Sequence, residues 1–337
     1  MSIRINKWVK LVARFVVAAV LFAWAFSQVD VEQFWRTVSA ARWHYLIGVW
    51  LLTVLFSLLQ SCALQVILRK QGCPVGLNML FAATCVTALY SLVLPGILST
   101  GVKWYILKRS TGKGTSVLSG MLYNQVTLAV VMTVMGLAGL IVTNPAQAIL
   151  PDARRWVLPL VCGVVLAIIV LLSVLALNER TGGPVIRVLT AMARPLPSMV
   201  REKSRETLTQ IAAFQTSGWR FHLAIAAINT VNCVFVGLLI YLFAAKAASV
   251  VAPIVVLIWL GSVVYVLGRI PISVANLGVR EVTLVGLLGL YGVDKSAALL
   301  MSMVLFSSLI FMALLGVVYK LWWSVGAGRS AAPGAVP

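Results

Sequence analysis

Residues 268–281 read Gly-Arg-Ile-Pro-Ile-Ser-Val-Ala-Asn-Leu-Gly-Val-Arg-Glu, and they interrupt an otherwise apolar part of the chain. The flanking segments, 250–267 and 282–290, hold almost only hydrocarbon side chains. Two arginines and a glutamate are therefore predicted at membrane depth, where an Arg at a helix centre costs roughly 2.5 to 3.5 kcal/mol. Irregular backbone at that depth is tolerated only where it is buried in protein or lines a wet cavity. The stretch predicts a functional site inside a membrane protein.

The composition around this stretch is that of a polytopic helical membrane protein. Of 337 residues, 61% are hydrophobic and 10% are charged, and apolar segments of about 20 residues recur along the chain. No run of about ten residues alternates apolar and polar side chains, as the strands of an outer-membrane barrel do. The predicted fold class is therefore an all-α polytopic membrane protein.

The basic residues give the chain a net charge of +19. In a soluble protein this charge would suggest nucleic-acid binding. Here the lysines and arginines lie at the ends of apolar segments, as the positive-inside rule describes. The sequence therefore predicts no nucleic-acid partner, a bacterial cytoplasmic (inner) membrane location and both termini in the cytoplasm.

Hydropathy divides the chain into six predicted full transmembrane helices and two interrupted segments. Residues 1–26 hold the first helix; their basic start and the Ala23-Trp24-Ala25 triplet also fit a signal peptide, but the long apolar run favours a retained helix. The remaining spans are predicted at 43–67, 116–143, 156–177, 219–245 and 296–323. The helix at 156–177 links to a basic cytoplasmic loop over 178–218, and residues 324–337 are predicted to be a disordered tail.

The first interrupted segment, residues 78–108, is predicted to be a re-entrant hairpin. If it crossed the membrane, Lys103 and the basic residues after it would face outside, against the positive-inside bias. Pro95 cannot continue a helical hydrogen-bond ladder, and Gly96 lets the chain reverse. A second break is predicted near Gly101.

The second interrupted segment, residues 250–292, is broken at Pro271. Pro271 lies 176 residues after Pro95, and the spans that precede the two segments start the same distance apart. The two halves, 43–143 and 219–323, thus form a predicted inverted repeat, the alternative being two unrelated kinked helices. Interrupted segments at matching positions of two halves are typical of a transporter's central site.

A new half-helix is predicted to begin after the Asn276-Leu277-Gly278 turn, with Gly278 as a helix-break residue. Ser273 or Asn276 is the candidate N-cap. The free N–H groups and the positive end of the helix dipole favour an anion. Ser273 and Asn276 are therefore candidate substrate-binding residues.

Basic side chains around the breaks are the strongest candidates for binding substrate. Arg269 and Arg280 suit phosphate oxygens because the guanidinium is a planar fork of donors, and Lys103 could approach from the other side. Glu281 is the only carboxylate predicted at membrane depth. It could neutralise an arginine, bind a cationic head group or carry a proton, and a purely structural Arg–Glu pair is the alternative.

No catalytic residue, metal site or cofactor is predicted. The five cysteines are scattered without metal-ligand spacing, and His44 and His222 have no partners for a catalytic triad. Amides such as Gln60, Asn124 and Asn229 more often join helices than bind substrate.

Two elements of the sequence resemble a known family. The runs that carry the resemblance are Arg269-Ile270-Pro271-Ile272-Ser273, Leu277-Gly278-Val279-Arg280-Glu281, Gly289-Leu290-Tyr291-Gly292-Val293 and Leu94-Pro95-Gly96 with Gly101-x-Lys103. They resemble the signature of the lysylphosphatidylglycerol synthase transmembrane-domain family, with Lys103 where many members carry Arg and Asn276 where many carry Gly. The resemblance implies a flippase-like membrane domain. Because the soluble aminoacyl-transfer domain of the synthases is missing, we expect no synthesis of lysylphosphatidylglycerol.

The predicted function is translocation of an anionic or zwitterionic (glyco)lipid, polyprenyl-phosphate-linked or aminoacylated, across the cytoplasmic membrane. The predicted partners are a membrane lipid with a phosphate-bearing head group and an envelope-lipid biosynthetic enzyme. Two alternatives stay open: a membrane-embedded lipid transferase, and a scaffold that recruits such an enzyme through its basic loop.

Overall fold

The computed structural model of the protein describes residues 31–92, 94, 96–148, 155–178, 180–192, 212, 214–268 and 278–330. Within these residues every regular element is helical, and five helices are long and apolar enough to cross a membrane. The predicted all-α polytopic membrane fold is confirmed. The first predicted helix, within 1–26, and the last residues, 331–337, lie outside the described part of the chain.

The helices are numbered in chain order. In the first half they are α1 (Val31–Ser39), α2 (His44–Lys70), α3 (Leu77–Ser91), α4 (Gly96–Thr111), α5 (Gly114–Thr143) and α6 (Val157–Leu177). In the second half they are α7 (Gly182–Met192), α8 (Trp219–Val231), α9 (Leu238–Ala247), α10 (Ile254–Leu267), α11 (Val279–Gly289) and α12 (Lys295–Ser330). A π turn, Asn232–Gly237, joins α8 to α9 into one apolar helix. Helix α12 continues to Ser330, seven residues past the predicted end of its span.

Helices α3 and α4 are too short to cross a bilayer alone. Their 15 and 16 residues extend about 22–24 Å at 1.5 Å per residue, against a hydrocarbon core of about 30 Å. The chain leaves α3 at Ser91, begins α4 at Gly96, and the two helices pack together. The predicted second break at Gly101 is wrong, because α4 is continuous through it. A single glycine weakens a helix by about 1 kcal/mol without ending it.

Two of the short helices pack against long helices that are far away in the sequence. Helix α3 lies on α12, and α10 lies on α5. Glycines allow both close approaches: a Cβ on Gly316 would clash with the carbonyl oxygen of Cys85, and a Cβ on Gly136 would lie 2.8 Å from Cβ of Ser262. The two halves therefore interlock rather than stand side by side.

Polar side chains join α2 to the long helix that α8, the π turn and α9 form together. Gln60 donates from Nε2 to Oδ1 of Asn229 at 3.1 Å, and Asn232 donates from Nδ2 to the carbonyl oxygen of Phe56 at 3.1 Å. These amides lie in the helix interface and are buried or partly buried. Such bonds between transmembrane helices contribute about 0.6 to 2 kcal/mol each.

Replacing Gly316 with alanine is expected to destabilise the protein by about 1–3 kcal/mol, the usual range for an overpacked core. The added methyl group meets the Cys85 backbone, which cannot move aside as a side-chain tip can. Thermal unfolding in detergent measures the effect. Gly163→Ala is the control, since Gly163 lies in α6 with nothing within 4 Å of its Cβ position. Equal melting temperatures for the two variants would contradict the close α3–α12 contact.

Candidate functional site

The first turn of α11 is built around the carboxylate of Glu281. Gly278 is the N-cap residue at φ +81°, in the left-handed region that favours glycine. Its N–H donates to Oε2 of Glu281 at 2.7 Å. A glutamate at the third helical position that reaches back to the N-cap is a known capping arrangement. The predicted N-cap at Ser273 or Asn276 is therefore wrong, because Gly278 holds that position and Glu281 supplies the capping oxygen.

Arg280, Glu281 and Ser302 form a closed hydrogen-bonded group, which we call the arginine cluster. Nη2 of Arg280 forms an ion pair with Oε1 of Glu281, and Nε of Arg280 donates to Oγ of Ser302 at 2.8 Å. Oγ of Ser302 in turn donates to Oε1 of Glu281 at 2.8 Å. Arg280 is 9% exposed and Glu281 is 1% exposed. The cluster is thus a buried and electrically neutral pair that ties α11 to α12.

The end of α11 already holds one carboxylate. The sequence predicted free N–H groups there for a substrate anion; the carboxylate of Glu281 accepts from the N–H of Gly278, the N-cap residue, and the first helical bond runs from the N–H of Val282 to the carbonyl oxygen of Gly278. Both oxygens of Glu281 accept hydrogen bonds. Arg280 has five N–H donors, and the bonds from Nε and Nη2 use two of them. The other three make no hydrogen bond within the described part of the chain, and the guanidinium carbon lies 5.2 Å from the centre of the Phe306 ring.

Lys103 and Thr84 form a second group, the lysine cluster, between α4 and α3. Nζ of Lys103 donates to Oγ1 of Thr84 at 2.9 Å, and Thr84 donates to the carbonyl oxygen of Leu80 at 2.8 Å. Lys103 is partly buried. In the part of the chain that the structure describes, no carboxylate pairs with this ammonium group. Within the described part of the chain, the hydroxyl of Thr84 is thus the hydrogen-bond partner of this ammonium group and no carboxylate neutralises it.

The positions of the two clusters can be compared along helix α12. Ser302 of α12 belongs to the arginine cluster, and Gly316 of the same helix touches Cys85, the neighbour of Thr84. Fourteen residues separate Ser302 from Gly316, which is about 21 Å along a helix. The structure therefore places Lys103 and Arg280 near opposite parts of α12 and does not bring them together.

Several predicted site residues cannot be placed in this geometry. Arg269, Pro271, Ser273, Asn276 and Pro95 lie outside the described residues. Gly96 is the first residue of α4, and Gly101 is an exposed position within that helix.

Sequence reasoning missed Thr84 and Ser302. Both lie in apolar helices that contain several other hydroxyl side chains. No spacing or composition signal distinguishes these two from their neighbours, since only the packing of α3 on α4 and of α11 on α12 selects them.

The described residues do not meet the requirements of a metal site, and the ion pair in α1 differs from that of Arg280 and Glu281. No group of three His, Cys, Asp or Glu side chains there could hold a metal ion. Glu32 pairs with Arg36 at 2.6 Å in a solvent-exposed turn of α1, with both side chains at least 75% exposed.

Comparison with known proteins adds one finding. A family model described as "Lysylphosphatidylglycerol synthase TM region" matches residues 11–316, a range that includes both clusters. No curated protein and no solved structure matches the chain.

Proposed function

The chain belongs to the lysylphosphatidylglycerol synthase transmembrane-region family, and from this premise we propose that it translocates a phosphate-bearing (glyco)lipid across the membrane. One observation carries the proposal: Lys103 lies partly buried between two short apolar helices with no carboxylate paired to it in the described residues. A charge in such a position is a candidate binding group for a substrate anion.

The two clusters act as successive binding positions for the head-group phosphate. The lysine cluster binds it first, because no carboxylate among the described residues neutralises Lys103. The arginine cluster then binds it through the three donors of Arg280 that are left over. The acyl or prenyl tails stay in the bilayer while the head group moves along α12, on which Ser302 and Gly316 are about 21 Å apart.

The interlocked packing supports alternating access between two related halves. Cys85 in α3 and Ser262 in α10 lie 177 residues apart, as do the first residues of those helices. Their contact partners Gly136 and Gly316 lie 180 residues apart, and the starts of α5 and α12 lie 181 apart. Equivalent contacts at equivalent positions are what an inverted repeat requires, and such repeats place the substrate site between two broken helices.

The proposed location is a bacterial cytoplasmic membrane with both termini in the cytoplasm. By the positive-inside rule the ends of α2 and α12 that carry Lys70 and Lys320 face the cytoplasm. The lysine cluster then lies nearer the cytoplasm and the arginine cluster nearer the outside. A lipid made by a cytoplasmic-side enzyme would meet the free charge first, so an envelope-lipid biosynthetic enzyme is the proposed partner.

Lys103→Gln is expected to reduce lipid translocation at least tenfold while leaving the protein folded. Hydrogen bonds to charged groups contribute about 1.5–3 kcal/mol, and about 1.4 kcal/mol corresponds to a factor of ten. The measurement is movement of fluorescent phosphatidylglycerol across proteoliposome membranes, read by quenching from outside. Lys108→Gln is the matched control, because Lys108 lies on the same helix, is exposed, and its ammonium group lies over the Trp104 ring while its side chain packs beside Gly114.

Unchanged translocation in Lys103→Gln would remove the lysine cluster from the proposal. Turnover of a lipid to a new product in detergent, without any bilayer, would favour a transferase over a translocator. Equal losses in Lys103→Gln and Lys108→Gln would indicate a general effect of charge on α4 rather than a binding site.

A further inference from the structure

The distribution of carboxylates along the chain bears on which head groups the path accepts. The eight acidic residues are Asp30, Glu32, Asp152, Glu179, Glu202, Glu206, Glu281 and Asp294. Seven of them fall in the polar intervals between the apolar segments, and the chain has no acid between Glu206 and Glu281. The stretch 269–277 therefore contributes no carboxylate wherever it lies. By its position in the sequence, Glu281 is the one acid that falls outside these polar intervals.

Glu281 is buried and hydrogen-bonded by its own chain. Its Oε2 accepts from the N–H of Gly278, and its Oε1 accepts from both Arg280 and Ser302. These bonds use three of the roughly four lone-pair sites of the carboxylate, and the residue is only 1% exposed. An ammonium group that captured Glu281 would leave Arg280 buried without its counter-ion, which is strongly unfavourable.

The acids at the helix ends are also occupied where the structure describes them. Asp294 accepts from the N–H groups of Ser296 and Ala297 and so caps α12. Glu32 pairs with Arg36 at the surface. Neither carboxylate is presented toward the lysine or arginine cluster by these contacts.

The lysine cluster adds repulsion to this lack of counter-ions. Its ammonium has a hydroxyl partner, Thr84, and no carboxylate among the described residues. A second positive charge close to it, in a medium less polar than water, is disfavoured. An anionic phosphodiester gains the same interaction with the opposite sign.

We infer that the path selects lipids whose head group carries a phosphate and no amine, so that phosphatidylethanolamine and aminoacylated phosphatidylglycerol are rejected. The inference rests on the proposed function and narrows its substrate class from anionic or zwitterionic lipids to net-anionic ones. Lys103 is the residue that sets this preference. The Arg280–Glu281 pair contributes no net charge to it.

Lipid competition read by native mass spectrometry tests the inference. Purified protein is mixed with equimolar phosphatidylglycerol, phosphatidylethanolamine and lysylphosphatidylglycerol that share the same acyl chains. We expect wild type and Lys108→Gln to retain phosphatidylglycerol at least tenfold over the two amine-bearing lipids. Lys103→Gln should lose this preference, and Lys103→Arg should keep it, because the positive charge is retained.

The outcomes separate this inference from the function it rests on. If an amine-bearing lipid is retained as well as phosphatidylglycerol, and its retention is lost in Lys103→Gln, the charge selection is overturned while the phosphate-lipid function stands. If no lipid is retained in a Lys103-dependent manner, both are overturned. A preference for phosphatidylglycerol that survives in Lys103→Gln overturns the assignment of selectivity to Lys103.

Discussion

Glu281→Ala is expected to lower the free energy of unfolding by about 3–5 kcal/mol, the range for breaking a buried ion pair by removing one partner. The substitution leaves Arg280, which is 9% exposed, without its counter-ion. It also removes the oxygen that caps the Gly278 N–H and one partner of Ser302. Thermal unfolding in detergent and the yield of monodisperse protein after membrane extraction measure the loss.

Glu32→Ala is the control for this prediction, because it removes the same residue type from another ion pair. The Glu32–Arg36 pair is exposed, with side chains 75% and 78% accessible, and exposed pairs contribute about 0–1 kcal/mol. Similar stabilities for Glu281→Ala and wild type would show that Arg280 finds another partner or that water reaches it.

The double variant Arg280→Met/Glu281→Gln is expected to keep the fold and lose at least tenfold in lipid translocation. Replacing both members of a buried ion pair with uncharged residues of similar size is often neutral or stabilising. The glutamine retains an oxygen that can cap Gly278. The variant therefore removes the guanidinium without leaving a buried charge unpaired, and translocation of fluorescent phosphatidylglycerol in proteoliposomes reads the consequence.

The single variant Arg280→Ala is a weaker test, because it strands the buried Glu281 carboxylate and confounds stability with transport. If the double variant is both stable and fully active, the arginine cluster is a structural pair that holds α11 on α12. The lysine cluster would then be the remaining candidate for phosphate binding.

Hydropathy and charge were sufficient to predict the fold class and the start of a helix directly after Gly278. Long apolar segments leave few alternatives to transmembrane helices, and a charged pair inside them stands out. The position of a glycine at the start of α11 was also visible, since Gly278 follows an Asn-Leu dipeptide in an apolar context. These signals depend only on local sequence.

Other details of the structure differ from the predictions, because they depend on which contacts a residue makes in the folded protein. Whether Gly101 breaks a helix depends on its neighbours in α4, and there the helix continues. The N-cap of α11 is Gly278 rather than Ser273 or Asn276, because the carboxylate of Glu281, three residues later, accepts from the Gly278 N–H. Likewise, the separation of Lys103 from Arg280 follows from the crossing of α3 over α12 at Gly316, which no local pattern encodes.

The π turn at Asn232–Gly237 has a consequence for the ancestry of the chain. Helix α2 has 27 residues, whereas the helix that contains the π turn has 29. Their first residues are 175 positions apart and their last residues 177 apart, and both are followed by loops of equal length. If the two halves descend from one duplicated segment, the two copies differ by an insertion or a deletion within this helix. A wider turn with i→i+5 bonds absorbs a difference in length locally, so the rest of the helix can present the same faces to its neighbours.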